Sequence, residues 1–233
     1  MGKILTGTEV LDKLLDGGYE SDIVTAIYGP PGSGKTTTCL LAALSAASDR
    51  ENKDKKVVFI DTEGGFSTER LQQLAGDSGA AKKVMERIML LKATSFAEQK
   101  KYIETISEQT ASAGSKICLI ICDTISSLYR IERGGEDNSN LNRELGKQLG
   151  ALLTVARTKE IPVIVSTPVY ADFSDKTSVK IVGGDILKYS SKCLIELRIN
   201  PNGTRTAALM KHRSIPEKHA TFKIKERGFE EAN

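Results

Sequence analysis

The sequence predicts an α/β domain built on a mostly parallel sheet flanked by helices, with antiparallel strands added at its C-terminal end. Three observations carry that expectation. Apolar β-type runs recur at Val57-Val58-Phe59-Ile60, Ile88-Met89-Leu90-Leu91, Ile117-Cys118-Leu119-Ile120-Ile121-Cys122 and Pro162-Val163-Ile164-Val165. They are apolar on both faces, as strands covered on both sides are. Helical stretches separate them, over 67–86, 96–112 and 139–159. After these the character changes to alternation, in Cys193-Leu194-Ile195-Glu196-Leu197-Arg198-Ile199, Thr206-Ala207-Ala208-Leu209-Met210-Lys211 and Thr221-Phe222-Lys223-Ile224-Lys225. With the turn Asn200-Pro201-Asn202-Gly203 between the first two, these read as antiparallel strands with one face wet.

In chain order, the first chemistry-bearing element is Gly29-Pro30-Pro31-Gly32-Ser33-Gly34-Lys35-Thr36-Thr37. It has the G-x-x-x-x-G-K-[ST] spacing of a phosphate cradle, and its context agrees. The β-prone run from Ile23 to Tyr28 precedes it and a helical run from Thr37 to Leu44 follows. Gly29, Gly32 and Gly34 permit backbone conformations that a Cβ penalises, so that successive N–H groups, Ser33 included, can face one concavity. Pro30 and Pro31 lack N–H groups and stiffen the rim. The helix opening near Lys35 turns its positive end toward an anion, with Thr37 on its first turn. Lys35 is expected to reach the β- and γ-phosphates of ATP and the Thr36 hydroxyl to ligate Mg²⁺. The competing reading, a turn that merely joins strand to helix, leaves the lysine and the hydroxyl unexplained.

Two acidic strand ends follow. The run from Val57 to Ile60 leads into Asp61-Thr62-Glu63-Gly64-Gly65-Phe66, and hydrolysis needs a group that orients water opposite the γ-phosphate. Glu63 is the candidate for that role, while Asp61, one step inside the strand, reads as structural. The run from Ile117 to Cys122 ends at Asp123, the place for a carboxylate that holds magnesium. An Asp that caps a turn is the plain alternative.

Bulk properties exclude more than they assign. At 39% hydrophobic and 27% charged, 233 residues fit one globular domain with a substantial core. A net charge of +3 does not announce nucleic acid by itself. No apolar run approaches membrane-spanning length and no signal-peptide order opens the chain. The four cysteines (Cys39, Cys118, Cys122, Cys193) form no C-x-x-C pair and read as buried thiols, which fits a reducing, cytoplasmic setting. Two histidines, His212 and His219, without a cysteine pair give no zinc pattern, and no Ser-His-Asp arrangement is legible.

The order of segments then becomes specific. It runs Leu5-Thr6-Gly7-Thr8-Glu9-Val10-Leu11-Asp12, the glycine loop, Asp61-Thr62-Glu63-Gly64-Gly65-Phe66-Ser67-Thr68-Glu69-Arg70-Leu71, Asp123-Thr124-Ile125, Gly183-Gly184-Asp185-Ile186-Leu187, Ile215-Pro216-Glu217 and Phe222-Lys223-Ile224. Across nearly the whole chain this resembles the RecA-type ATPase core of archaeal and eukaryotic recombinases. It looks like a shorter archaeal paralogue of RadA, because it starts directly at the T-G-x-x-x-L-D segment. The resemblance implies one RecA-like P-loop NTPase domain over 1–233 with no separate N-terminal DNA-binding domain. It implies ATP and Mg²⁺ as cofactors, adenine stacking by Arg70, and contact of Pro216 with a neighbouring protomer's nucleotide in a homo-oligomer.

One departure stands out. RadA-like proteins carry Thr-Asn-Gln-Val where this chain has Ser166-Thr167-Pro168-Val169, so a proline replaces the glutamine that senses the γ-phosphate. Proline has no side-chain donor and no N–H. Slow turnover with little stimulation by DNA is therefore expected, with Ser166 or Thr167 as partial substitutes. The family's DNA loops fall at Tyr129–Asn138, followed by Arg143 and Lys147, and at Tyr170–Val182. Arg130, Arg133, Arg143, Lys176 and Lys180 are the candidate phosphate contacts and Tyr170 or Phe173 the stacking groups. Acidic neighbours dilute this charge, and plain solvated loops are the competing reading. The basic run Lys211-His212-Arg213 with Lys223, Lys225 and Arg227 reads equally as a wet strand face. The expected function is an ATP-binding, weakly hydrolysing, DNA-binding accessory to a RadA-type recombinase in recombination and repair. The alternative is a KaiC-like regulatory ATPase with a protein partner, which the Pro30-Pro31 loop also suits.

Overall fold

The computed structural model describes residues 2–111, 114, 116–133, 138–171 and 179–232. The chain opens with β1 (Lys3–Ile4), α1 (Glu9–Leu14) and β2 (Tyr19–Glu20), then β3 (Val24–Gly29) and α2 (Lys35–Ser48). Next come β4 (Lys56–Asp61), α3 (Thr68–Ala75), α4 (Ser78–Met85), β5 (Ile88–Lys92) and α5 (Phe96–Ala111). The middle holds β6 (Ile117–Asp123), α6 (Ser127–Glu132), α7 (Ser139–Lys159), β7 (Val163–Ala171), β8 (Val179–Ile181) and α8 (Gly184–Ser190). The end is β9 (Cys193–Ile199), β10 (Arg205–Lys211), β11 (Lys218–Lys225) and β12 (Gly228–Glu231).

The main sheet runs β12-β11-β10-β9-β3-β7-β6-β4-β5, with β8 paired to β7 alone. From β9 to β5 neighbouring strands are parallel, and from β9 to β12 they are antiparallel. The expected architecture is the one observed. Alternate residues of each parallel strand enter different layers. Val57, Phe59, Leu119 and Ile121 pack with α2 residues such as Leu40, whereas Val58, Ile60, Ile120 and Cys122 pack with Ile103 of α5 and Leu149 of α7. Strands buried on both faces need both layers, which is why the runs carry no polar alternation.

Three details differ from the sequence reading. The helical stretch over 67–86 is two helices, because Gly76 takes a left-handed φ of 70° and closes α3 with its N–H on the Gln72 and Gln73 carbonyls. The two-residue pairing of β1 with β2, Lys3 opposite Glu20, is too short to leave a periodic signal. An extra strand, β12, closes the antiparallel edge. All four cysteines are free and buried. No helix among the described residues is long and apolar enough to cross a membrane.

Parallel register places the functional residues on one edge. Gly29 lies opposite Pro168, and Asp61 opposite Asp123, so the C-terminal tips of β3, β7, β4 and β6 face a common crevice. Ligands of open α/β sheets bind outside this end of the strands.

Candidate nucleotide site

At the tip of β3 the chain leaves Gly29, turns through Pro30 to Ser33 and enters α2 at Lys35. Gly34 is the N-cap, at φ 105°, with no side-chain cap. Only glycine takes that conformation without strain, and it leaves the first amides of α2 free of side-chain partners. Thr37 follows, half-buried, on the first turn. The Lys35 ammonium lies across the loop and donates to the carbonyls of Gly29 (2.9 Å) and Pro30 (3.0 Å). Burial pushes its pKa down, against the attraction of the Asp123 and Glu63 carboxylates. The Ser33 hydroxyl is buried and has no hydrogen-bond partner among the described residues, while Gly32 is exposed at the rim.

Asp123 is 2% exposed. Burial pushes its carboxyl pKa up, and hydrogen bonds from the Ser166 and Thr36 hydroxyls work the other way. Ser166 Oγ donates to Asp123 Oδ1. A Cβ on Gly65 would stand 3.2 Å from Thr36 Cγ2, 3.4 Å from Thr36 Oγ1 and 3.7 Å from Asp123 Oδ2. The turn after β4 is thus packed down on the Thr36–Asp123 pair. Asp61 holds that turn by accepting the N–H groups of Glu63 (3.2 Å), Gly65 (3.1 Å) and Phe66 (3.1 Å). Glu63 itself is exposed, and its Oε1 accepts from Ser127 Oγ at the start of α6.

The donor set fits magnesium triphosphate. Among the described residues no cluster of three or more His, Cys, Asp or Glu side chains is placed to hold a metal. A hydroxyl and one carboxylate, Thr36 and Asp123, suit an ion that keeps several waters and shares phosphate oxygens. The Ser33 hydroxyl, the amides that open α2 and Lys35 would supply such an anion's partners.

Hydroxyls tie these strand ends together. Thr62 Oγ1 donates to the Thr124 carbonyl (2.8 Å) and accepts the Thr124 N–H (2.9 Å). The Asp123–Thr124 peptide is cis. Ser126 Oγ and Thr167 Oγ1 are 2.6 Å apart, and Thr167 Oγ1 also donates to the Val182 carbonyl (2.9 Å). Pro168 is buried beside Gly29 and its carbonyl accepts the Val182 N–H at 3.1 Å. Sequence reasoning passed over Ser127 and Thr124. The cluster Thr124-Ile125-Ser126-Ser127 at a strand tip was the available signal.

Other candidates make contacts of their own. The Arg70 guanidinium donates to the carbonyls of Lys225 (2.8 Å) and Glu226 (2.9 Å) and to Gln73 Oε1 (3.0 Å), which binds α3 to the β11–β12 turn. Pro216 is exposed between β10 and β11.

Arg130 and Arg133 are exposed at the end of α6, and Arg143 is exposed on α7 with one N–H on Asn140 Oδ1 at 3.1 Å. Lys147 is paired with Glu144 at 2.8 Å. Arg133 and Tyr170 both line a groove of about 270 Å³, together with Tyr129, Asn142 and Gly183. Tyr129 Oη donates to Asn142 Oδ1 at 2.6 Å. Lys180 is exposed on β8, whereas Phe173 and Lys176 lie outside the described residues. The C-terminal basic run is committed elsewhere. Lys211 donates to the Lys188 (2.7 Å) and Ser191 (2.9 Å) carbonyls, and Arg213 pairs with Glu20 (2.6 Å) and Asp22 (2.7 Å).

Comparison with known proteins adds to this geometry. The Rad51 family profile matches residues 1–232. The chain is 43% identical over 222 residues to the DNA repair and recombination protein RadB of Methanobrevibacter smithii, covering 94% of this chain and 92% of that protein. It is 39% identical over 229 residues to the protein of the same name from Thermococcus kodakarensis, covering 97% and 98%. For that of Methanocaldococcus jannaschii the identity is 38% over 223 residues, covering 95% and 99%. Among solved structures, a crystal structure of the RadB recombinase matches with a TM-score of 0.80 at 36% identity, covering 99% of this chain and all of that one.

Proposed function

The chain belongs to the Rad51 family, and on that premise we propose that it is an ATP-binding, slowly hydrolysing, DNA-binding protein of homologous recombination and repair. Relatives named DNA repair and recombination proteins align over nearly its whole length, which supports that process. The observation that carries the reading is the buried Asp123 carboxylate, bonded to Ser166 and to Thr36 of the helix that follows the glycine loop.

When bound, magnesium triphosphate supplies the electrophilic phosphorus and the metal charge that steadies it. The chain's own residues do the rest. The amides that open α2 grip phosphate oxygens, and Lys35 exchanges its two carbonyl partners for them. Thr36 and Asp123 hold the ion, and Glu63 aligns water. Pro168 stands opposite Gly29 with no donor to offer. A missing positioning donor costs on the order of 2.7–4 kcal/mol where it acts on the transition state. Slow turnover follows, with little response to DNA, and ATP acts chiefly as a conformational ligand.

DNA, single-stranded by preference, lies along Arg130, Arg133, Arg143 and Lys180, with Tyr170 as the stacking group at the groove. The protein works in the cytoplasm as an accessory to a RadA-type recombinase. Single-turnover hydrolysis with and without single-stranded DNA tests the first half, and strong stimulation would refute it. A salt-dependent binding isotherm for Arg130→Ala/Arg133→Ala tests the second. The expected outcome is weaker binding and a shallower salt slope. Co-precipitation with a RadA-type recombinase in ATP, ADP and no nucleotide tests the accessory role, and absence of capture in all three would exclude it.

A further inference from the structure

Ser127 belongs to no nucleotide motif, yet its hydroxyl is the direct partner of Glu63. The two are 64 residues apart in sequence and meet because β4 and β6 are parallel neighbours with Asp61 opposite Asp123. Each strand therefore runs out at the same level, one into the Glu63 turn and the other into α6. Ser127 is 3% exposed and is the first residue of that helix.

The contact is directional. Thr124 Oγ1 donates to Ser127 Oγ at 2.6 Å and also accepts the Ser127 N–H at 3.2 Å. The Ser127 hydroxyl accepts that bond on one lone pair and gives its single proton to Glu63 Oε1. Thr124 is anchored in turn by its mutual bonds with Thr62, so the chain of donors ends on a rigid strand tip. Successive hydroxyls of this kind polarise one another, and the last bond, to a charged carboxylate, is of the stronger class. Glu63 Oε2 has no hydrogen bond among the described residues. A carboxylate pinned through one oxygen, with the other left over, can hold a water in a fixed direction. An exposed glutamate without that pin would sample several rotamers.

We propose that Ser127 is the positioning residue for Glu63, fixing the carboxylate that aligns the attacking water. The inference rests on the assignment of Glu63 to hydrolysis made above. Ser127 touches no nucleotide atom in this scheme and acts only through Glu63.

Single-turnover hydrolysis of Mg-ATP, with affinity measured separately by a fluorescent ATP analogue, tests it on the full chain. Ser127→Ala is expected to lower the rate about tenfold, the loss of one charge-assisted hydrogen bond, with nucleotide affinity changed less than about twofold. Ser127→Thr, which keeps the hydroxyl, restores most of the rate. In a Glu63→Gln background, Ser127→Ala has no further effect, because the group it positions is already gone.

An unchanged rate in Ser127→Ala alongside a large loss in Glu63→Gln overturns the positioning role and leaves the Glu63 assignment standing. Full turnover in Glu63→Gln instead removes the assignment itself. A weakened ATP affinity in Ser127→Ala, or an equal loss in both backgrounds, marks a general packing role and also overturns the proposal. Should Ser127→Ala not fold, Thr124→Val, which removes the hydroxyl that donates to Ser127 Oγ and accepts its N–H, is expected to give a rate loss of the same sign. An unchanged rate there overturns the proposal.

Discussion

The nucleotide end of the parallel sheet and the antiparallel wing from β9 to β12 handle polarity in opposite ways. At the strand tips, polar groups are buried and meet hydroxyl to hydroxyl or hydroxyl to carboxylate, as in Ser166–Asp123 and Ser126–Thr167, with buried Ser127 reaching out to the exposed Glu63. In the wing, most charge is carried on the outside, with Glu196 of β9 the buried exception among the described residues. Lys13–Glu231 and Lys218–Asp16 fasten it to the α1 region, while its cohesion comes from the Phe222–Phe229 stack at 4.2 Å. Buried polar bonds are costly to break because the abandoned partner stays desolvated, whereas exposed ion pairs contribute little. The wing is thus a packing device and the strand tips are a polar one, with Arg70 tying α3 to the β11–β12 turn.

Substitutions that separate packing from polarity sharpen this contrast. Phe222→Ala, at a site with 0% exposure, is expected to remove about 3–5 kcal/mol of stability by urea unfolding. Nucleotide affinity measured below the transition is expected to stay near that of the parent chain, and a large loss of affinity would break the division. Lys35→Ala is the mirror case. ATP affinity by titration calorimetry falls by about 2–3 kcal/mol, close to a hundredfold, with a much smaller change in the urea midpoint. Thr167→Val abandons the Ser126 hydroxyl and the Val182 carbonyl together and is expected to cost about 1–3 kcal/mol of stability. A neutral result would show the strand-tip hydroxyls to be incidental.

The pH response locates a smaller effect beside the wing. The His212 imidazole is 2% exposed and accepts the N–H groups of Ser214 and Ile215 on Nδ1, each at 3.2 Å. Burial lowers its pKa below the ordinary 6.5. The unfolded chain therefore binds its proton first, so stability falls as pH drops from 6.5 toward the lower folded value. Urea midpoints at pH 7 and pH 5 are expected to converge in His212→Gln relative to the parent, and an unchanged acid limb would reject this origin. Smallest of all, Lys13→Ala breaks exposed pairs with Glu9 and Glu231 and should leave the midpoint within error.

Legibility followed the range of the interaction. The glycine loop between β3 and α2 was readable because its glycines, lysine and threonine are contiguous, and the position of Asp123 because it ends an apolar run. The role of Asp61 was readable too, since the amides it binds are two to five residues ahead. Ser127 was missed for the opposite reason. Nothing near residue 127 advertises a partner at residue 63. Arg70 shows the same limit, since its carbonyl partners are 155 and 156 residues away. Helix ends fell between these cases. The Gly76 stop inside 67–86 is a local signal, but weak against the helical run on either side.

Composition and periodicity determined a sheet buried on both faces and the antiparallel extension, and motif spacing a glycine loop between β3 and α2. Those depend on the side-chain pattern within one element, and a pattern survives whatever the neighbours are. Strand order and parallel register, decided only in the folded molecule, brought Asp61 level with Asp123 and Gly29 level with Pro168. That alignment chose which hydroxyl meets which carboxylate. Hydrogen bonds tolerate errors of a few tenths of an ångström, and no spacing along the chain encodes distance across a sheet at that scale.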